Sequence, residues 1–171
     1  MRIVSILTLL FVTSISLAQK GNKIAEIRKS VERINRDSGY VIKKVDGETF
    51  LDQASDNGGQ LTAYFRNGQL VKMIEWVGLS SCVDIIEYYL QDDKLIFTYT
   101  SGSEAPYVDS LQSFDQGKLN KTMECRFYFD NGIIIKSILK GSTRCGGQPT
   151  VELGENYLTE CFRIKKLLTR K

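Results

Sequence analysis

Ala63-Tyr64-Phe65-Arg66-Asn67-Gly68-Gln69-Leu70 is the stretch on which the fold turns, because its pattern returns twice. The other copies are Tyr88-Tyr89-Leu90-Gln91-Asp92-Asp93-Lys94-Leu95 and Phe127-Tyr128-Phe129-Asp130-Asn131-Gly132-Ile133-Ile134. Each closes an aromatic run, turns over two residues and opens another apolar run. Asn-Gly between such runs is the strongest short hairpin signal, since a type I′ turn needs positive φ at both central residues. Asp92-Asp93 takes the same place, because Asp tolerates the left-handed region. The spacing predicts paired strands over 61–66 and 69–77, 83–91 and 94–100, and 122–130 and 133–139. The short turns place Phe65 opposite Leu70, Leu90 opposite Leu95 and Phe129 opposite Ile134.

Alternation then sorts the side chains. One face is expected to collect Leu61, Ala63, Phe65, Ile74, Trp76, Ile86, Tyr88, Leu90, Phe97, Phe127, Phe129 and Ile138. The other carries Tyr64, Val71, Met73, Tyr89, Ile96, Tyr128, Ile135 and Leu139. A sheet apolar on both sides needs a cover on each, and two amphipathic helices are available. Ile24, Ile27, Val31 and Ile34 recur at three and four residues over 22–36, and Asp37-Ser38-Gly39 ends that pattern. Leu158, Cys161, Phe162, Lys165 and Leu168 mark a second helix from near Gly154 to the C-terminus. The expectation is one helix per face, or both on one face with the sheet curling over the other.

Upstream of the repeats, residues 40–45 read as a strand, Asp46-Gly47 as a turn and 48–51 as the partner strand. Residues 52–59 form a polar loop, and 101–121 interrupt the even strand spacing. A connection that long is either functional or loosely held, with Tyr107, Val108, Leu111 and Phe114 as its apolar anchors. The fold class is α+β: an antiparallel β-meander of six to eight strands with an N-terminal and a C-terminal helix, one domain over 19–171.

Residues 1–18 read as a cleavable signal peptide: Arg2, an apolar run from Ile3 to Val12, and small residues ending Ser16-Leu17-Ala18. That run is shorter than a membrane span of about 20 residues, and no lipoprotein cysteine follows it. The expected location is the periplasm or outside the cell. Net charge is +3 for the 171 residues, with 23 Lys and Arg against 20 Asp and Glu. That near-neutral balance gives no electrostatic footprint for nucleic acid. The basic residues near the C-terminus complement a helix dipole.

Cys82, Cys125, Cys145 and Cys161 suit an oxidising compartment and allow three pairings. Cys145 with Cys161 would staple the last helix to the sheet edge, leaving Cys82 with Cys125. No C-x-x-C occurs, so neither a zinc knuckle nor a thioredoxin-type site is indicated.

The chain contains no histidine, which removes the commonest general base and the usual partner of a Ser or Cys nucleophile. Hydrolysis by paired carboxylates needs none, and Glu75, Asp84, Glu87 and Glu124 are the acids to consider. The oxygen-rich loop of Asp52, Ser55, Asp56 and Asn57 lacks the calcium-loop spacing. No cofactor and no metal site is expected. Tyr64, Tyr89 and Tyr128 occupy equivalent places before the three turns. Such a row stacks sugars or grips peptides, since tyrosine joins a large apolar area to a polar tip; the same residues also pack under a helix.

The repeated Tyr-Phe-x-Asn-Gly phrase resembles bacterial β-hairpin arrays, MORN-like repeats among them, over about eight residues per copy. The whole layout is similar to small secreted proteins of Gram-negative bacteria, with a leader, a helix containing Ile27-Arg28, and hairpins such as Ala63-Tyr64-Phe65-Arg66-Asn67-Gly68. That resemblance implies a scaffold or interaction surface and brings no activity. The expectation is a non-catalytic secreted or periplasmic binding module, inhibitor- or immunity-like, whose partner is a protein or an envelope polymer. The alternative is a histidine-free hydrolase using paired carboxylates.

Overall fold

Seven antiparallel strands form one sheet in the computed structural model, which describes the backbone of residues 4–169 and the side chains of 20–169. The strands are β1 (Val41–Asp46), β2 (Gly59–Arg66), β3 (Gln69–Gly78), β4 (Cys82–Gln91), β5 (Lys94–Glu104), β8 (Asn120–Asp130) and β9 (Ile133–Gly141). They lie in the order β1-β2-β3-β4-β5-β8-β9, each beside its neighbour in the chain. Two short strands, β6 (Tyr107–Val108) and β7 (Ser113–Phe114), make a separate hairpin between β5 and β8. This is the α+β meander that the repeats imply.

The turns behave as their residues require. Asn67 and Gly68, Asp92 and Asp93, and Asn131 and Gly132 all have positive φ, between 48° and 79°. Beside each turn the pairing is the expected one: Phe65 with Leu70, Leu90 with Leu95, Phe129 with Ile134.

One residue further on, each hairpin carries a bulge. Tyr64 pairs with Lys72, Tyr89 with Phe97 and Tyr128 with Lys136, so Val71, Ile96 and Ile135 are extra. A one-residue slip moves every later side chain to the other face. The expected face lists are therefore wrong along the second strand of each hairpin beyond the bulge, while Ile96 and Ile135 pack on the expected α1 side. Met73 and Leu139 pack in the first core, while Phe97 and Ile138 pack in the second. Trp76 is no core residue at 36% exposure.

One helix covers each face. Helix α3 (Val151–Thr169) lays Tyr157, Cys161, Ile164 and Leu168 over Leu61, Met73, Tyr88, Leu90, Phe127 and Phe129. It approaches closely because residue 154 is glycine: a Cβ there would lie 2.5 Å from Phe127 Cδ1. Helix α1 (Val4–Arg36) sets Ile27 and Ile34 on Tyr89, Phe97 and Tyr128. Each large apolar side chain so removed from water contributes about 1.5–3 kcal/mol before entropy is counted.

The backbone of the segment read as a signal peptide is helical from Val4, while residues 1–3 and the side chains before Lys20 lie outside the described residues. Among the described residues no helix is long and apolar enough to cross a membrane.

Residues 48–51 are not a strand. Gly47–Phe50 form one helical turn, α2, and β1 pairs with β2 instead. The helical turn delivers Phe50 into the α3-side core at 0% exposure, which an extended continuation of β1 would not do.

Candidate functional site

The tyrosine row sits where helix α1 crosses the sheet. Tyr89 and Tyr128 are buried at 2% and 4% exposure, and Tyr64 is half-buried, edge-on to Tyr40 at 5.8 Å. The Tyr89 hydroxyl lies 2.5 Å from a Glu87 oxygen and 3.0 Å from Asn35 Oδ1 of α1. Lys72 reaches the same two acceptors at 2.7 and 2.9 Å. Arg28 of α1 donates to the Tyr128 hydroxyl at 3.3 Å. What Tyr89 and Tyr128 hold in this structure is α1, while Tyr64 packs on Tyr40 beyond the end of that helix.

The four acids divide between the faces. Glu87 is paired with Lys72, and Glu124 with Arg126. Glu75 lies under α3 at 4% exposure, with Oε1 lacking a hydrogen-bond partner. Burial pushes its carboxyl up to about 7, and Glu160 adds to that; the nearby Tyr88 hydroxyl and Arg163 act the other way. Asp84 is half-buried on the same face, and burial raises its carboxyl above the ordinary value. Asp84 also opens to a cavity of about 340 Å³ beneath the start of α3, whose wall includes Glu152. Glu75 is not among its lining residues.

The cavity belongs to the end of the sheet away from the three repeat turns, where a disulfide gathers the loops. Cys82 at the start of β4 is bonded to Cys145, with Cα atoms 6.4 Å apart. The expected pairs, Cys145 with Cys161 and Cys82 with Cys125, do not form; Cys125 and Cys161 are buried free thiols. The reason is topological. Cys125 pairs across strands with Thr100 in mid-sheet, and Cys82 pairs with Glu104 at the end of β5, where the loop after β9 returns. Burial pushes the Cys161 thiol up to about 12.

Residues 105–119 project from this end. Tyr107 and Phe114 pack edge-on at 5.3 Å, and a single 3-10 turn at Asp109–Leu111 forms the tip. The base is clamped. Arg144 donates to both Glu104 oxygens, from its backbone at 2.7 Å and its guanidinium at 2.9 Å, and lies over the Phe114 ring. Those donors hold the Glu104 carboxyl below its ordinary value, the backbone bond foremost. Gln116 donates to the Ser80 carbonyl at 2.7 Å, and Ala105 to the Ser81 carbonyl at 2.9 Å. The tip stays open: Tyr107 is 50% exposed and Leu111 62%.

The loop of Asp52 to Asn57 spends its polar groups on neighbouring elements, Asp52 on Arg163 of α3 and Ser55, Asp56 and Asn57 on the β3–β4 connection. Ser55 donates to the Gly78 carbonyl, Asn57 to that of Leu79, and Asp56 accepts from Ser80. Among the described residues no three acidic or thiol groups are placed to share a metal ion.

Sequence reading missed the Glu104–Arg144 clamp and the cavity, because both join residues about 40 or more apart. The one local signal was Arg144-Cys145-Gly146-Gly147, a cysteine set in a tight loop. No protein-family model, no curated protein and no solved structure matches this chain.

Proposed function

We propose that the chain is an exported, non-catalytic recognition module that grips a protein or envelope polymer through the projecting hairpin of residues 105–119. The observation carrying this reading is the combination of an exposed apolar tip, Tyr107 and Leu111, with a base held by Arg144, Gln116 and the adjacent disulfide. A preorganised loop loses little conformational freedom on binding, and aromatic residues supply much of the energy at interfaces. The leader pattern and the Cys82–Cys145 bond support passage to an oxidising compartment. With both sheet faces largely under helices, the hairpin is the better recognition surface.

The test is a Tyr107→Ser, Leu111→Ser double variant compared with the parent in capture from the native envelope fraction. Loss of the captured species with an unchanged melting temperature supports the reading. Equal capture by the variant refutes it.

A second reading, a histidine-free hydrolase, is favoured by one observation: Asp84, raised by burial, and Glu152 line the same cavity. Acid hydrolysis of a glycoside needs one protonated and one ionised carboxyl across a cleft. Turnover of chromogenic glycosides that vanishes in both Asp84→Asn and Glu152→Gln supports it; no turnover with a broad panel goes against it.

A further inference from the structure

We infer that the cavity beneath the first turn of α3 binds a small organic ligand carrying a primary ammonium group, with Asp84 as counter-ion. Such binding needs neither a partner at the hairpin nor any turnover, so it stands or fails separately from both readings above.

The wall holds two carboxylates, Asp84 and Glu152, and no lysine or arginine. Asp84 Oδ1 is buried without a hydrogen-bond partner. The hydroxyl of Thr100, a residue 1% exposed that lines the same space, has only the nearby Tyr157 hydroxyl beside it and no partner in good hydrogen-bond geometry. Burying a carboxylate oxygen and a hydroxyl without partners is costly unless something else satisfies them. An ammonium group brings three donors and the opposite charge, and Asp84, Thr100 and the neighbouring Asn156 amide offer acceptors for them. An anion would meet two carboxylates and no cationic side chain, against only the partial positive charge of the α3 N-terminus, about half an elementary charge.

The size and the remaining walls favour an organic cation over a bare ion. About 340 Å³ exceeds by roughly tenfold the 30 Å³ share of one water molecule. Ile86, Met123 and Leu153 supply apolar surface for a carbon skeleton. Glycine at 102 makes room for the Asp84 carboxylate and the Thr143 methyl beside the cavity. Opposite Asp84 in the sheet is Gly102, where a Cβ would lie 3.1 Å from Asp84 Oδ1 and 2.4 Å from Thr143 Cγ2.

The larger groove between α1 and the turns at 91–94 and 129–131 lacks these features. Several of its polar groups already pair, Lys23 with Asp130, Ser30 with Gln91 and Lys94 with Asn131, and none of its polar atoms is buried without a partner.

The experiment is an NMR titration of the disulfide-bonded chain with n-butylammonium chloride, using n-butanol and calcium chloride as parallel arms. Saturable amide shifts confined to residues 84, 100, 102 and 146–157 with butylammonium alone are expected. Asp84→Asn should weaken that binding at least tenfold, and Glu152→Gln, at the exposed rim, by about twofold to fivefold. Because the Asn side chain is nearly isosteric, its spectrum reports folding directly; the rim variant serves if it does not fold. Three results would each overturn the inference. They are no saturable shift with butylammonium, equal shifts with butanol or calcium, and affinity unchanged in both variants.

Discussion

Tyr89 on the fourth strand and Asn35 on the first helix meet through a hydroxyl and an amide oxygen 3.0 Å apart. Lys72 bridges Asn35 to Glu87, and the Tyr89 hydroxyl reaches Glu87 directly. This polar knot closes the α1 face, and the Lys72 ammonium also lies 4.7 Å from the centre of the Tyr89 ring. Removing Tyr89 therefore costs a buried ring and a shared network together. Tyr89→Ala should lose about 3–5 kcal/mol of unfolding free energy, and Tyr89→Phe about 1 kcal/mol. Urea melts of the two variants check this; an Ala variant within 1 kcal/mol of the parent would mean that α1 does not rest on the ring.

Glu75 gives stability a distinct pH dependence. Its folded value is raised from 4.5 to about 7, so the folded chain binds more protons than the unfolded chain between those limits. Stability must then fall as pH rises through that window. Glu75→Gln removes the effect. The variant and parent should melt alike near pH 4, and the variant should gain up to roughly 3 kcal/mol above pH 7. A difference independent of pH would place the proton elsewhere.

The Cys82–Cys145 bond closes a loop of 63 residues. Chain-entropy arguments assign such a crosslink roughly 4 kcal/mol. A Cys82→Ser, Cys145→Ser variant should lose stability on that order, and so should the parent in reductant. Alkylation of the native, oxidised protein should modify neither Cys125 nor Cys161, because both thiols are buried and raised. Mass mapping that finds either one labelled without denaturant contradicts this.

Gly154 is the contact point between α3 and the sheet. Gly154→Ala is favourable for helix propensity by up to about 1 kcal/mol, yet its Cβ would meet Phe127 at 2.5 Å and Ile134 at 2.8 Å. Overpacking of that kind costs about 1–3 kcal/mol. A net drop in melting temperature is expected, detectable by calorimetry; a rise would show that α3 can lift without loss.

The resemblance of the three turns to one another is written into local chemistry. Asn67-Gly68, Asp92-Asp93 and Asn131-Gly132 can adopt left-handed backbone, and the flanking apolar runs can only pair antiparallel across so short a connection. The meander, the first helix pattern from Ile24 to Ile34 and the second around Cys161 were legible for the same reason. Each is decided within a few residues, by φ or by periodicity.

Tertiary packing decided what those elements face. The extra residues Val71, Ile96 and Ile135 carry no mark of a bulge. An unbulged register satisfies the same turn, and the shift is what sets Met73 and Leu139 toward α3 and Phe97 and Ile138 toward α1. The same holds for Phe50, turned inward by one helical turn, for the partner of Cys82, and for the cavity where Asp84 meets residues from after β9. Turn geometry is an energy between neighbours along the chain; facing, bonding across loops and cavity shape are energies between surfaces that meet only when the whole sheet has closed.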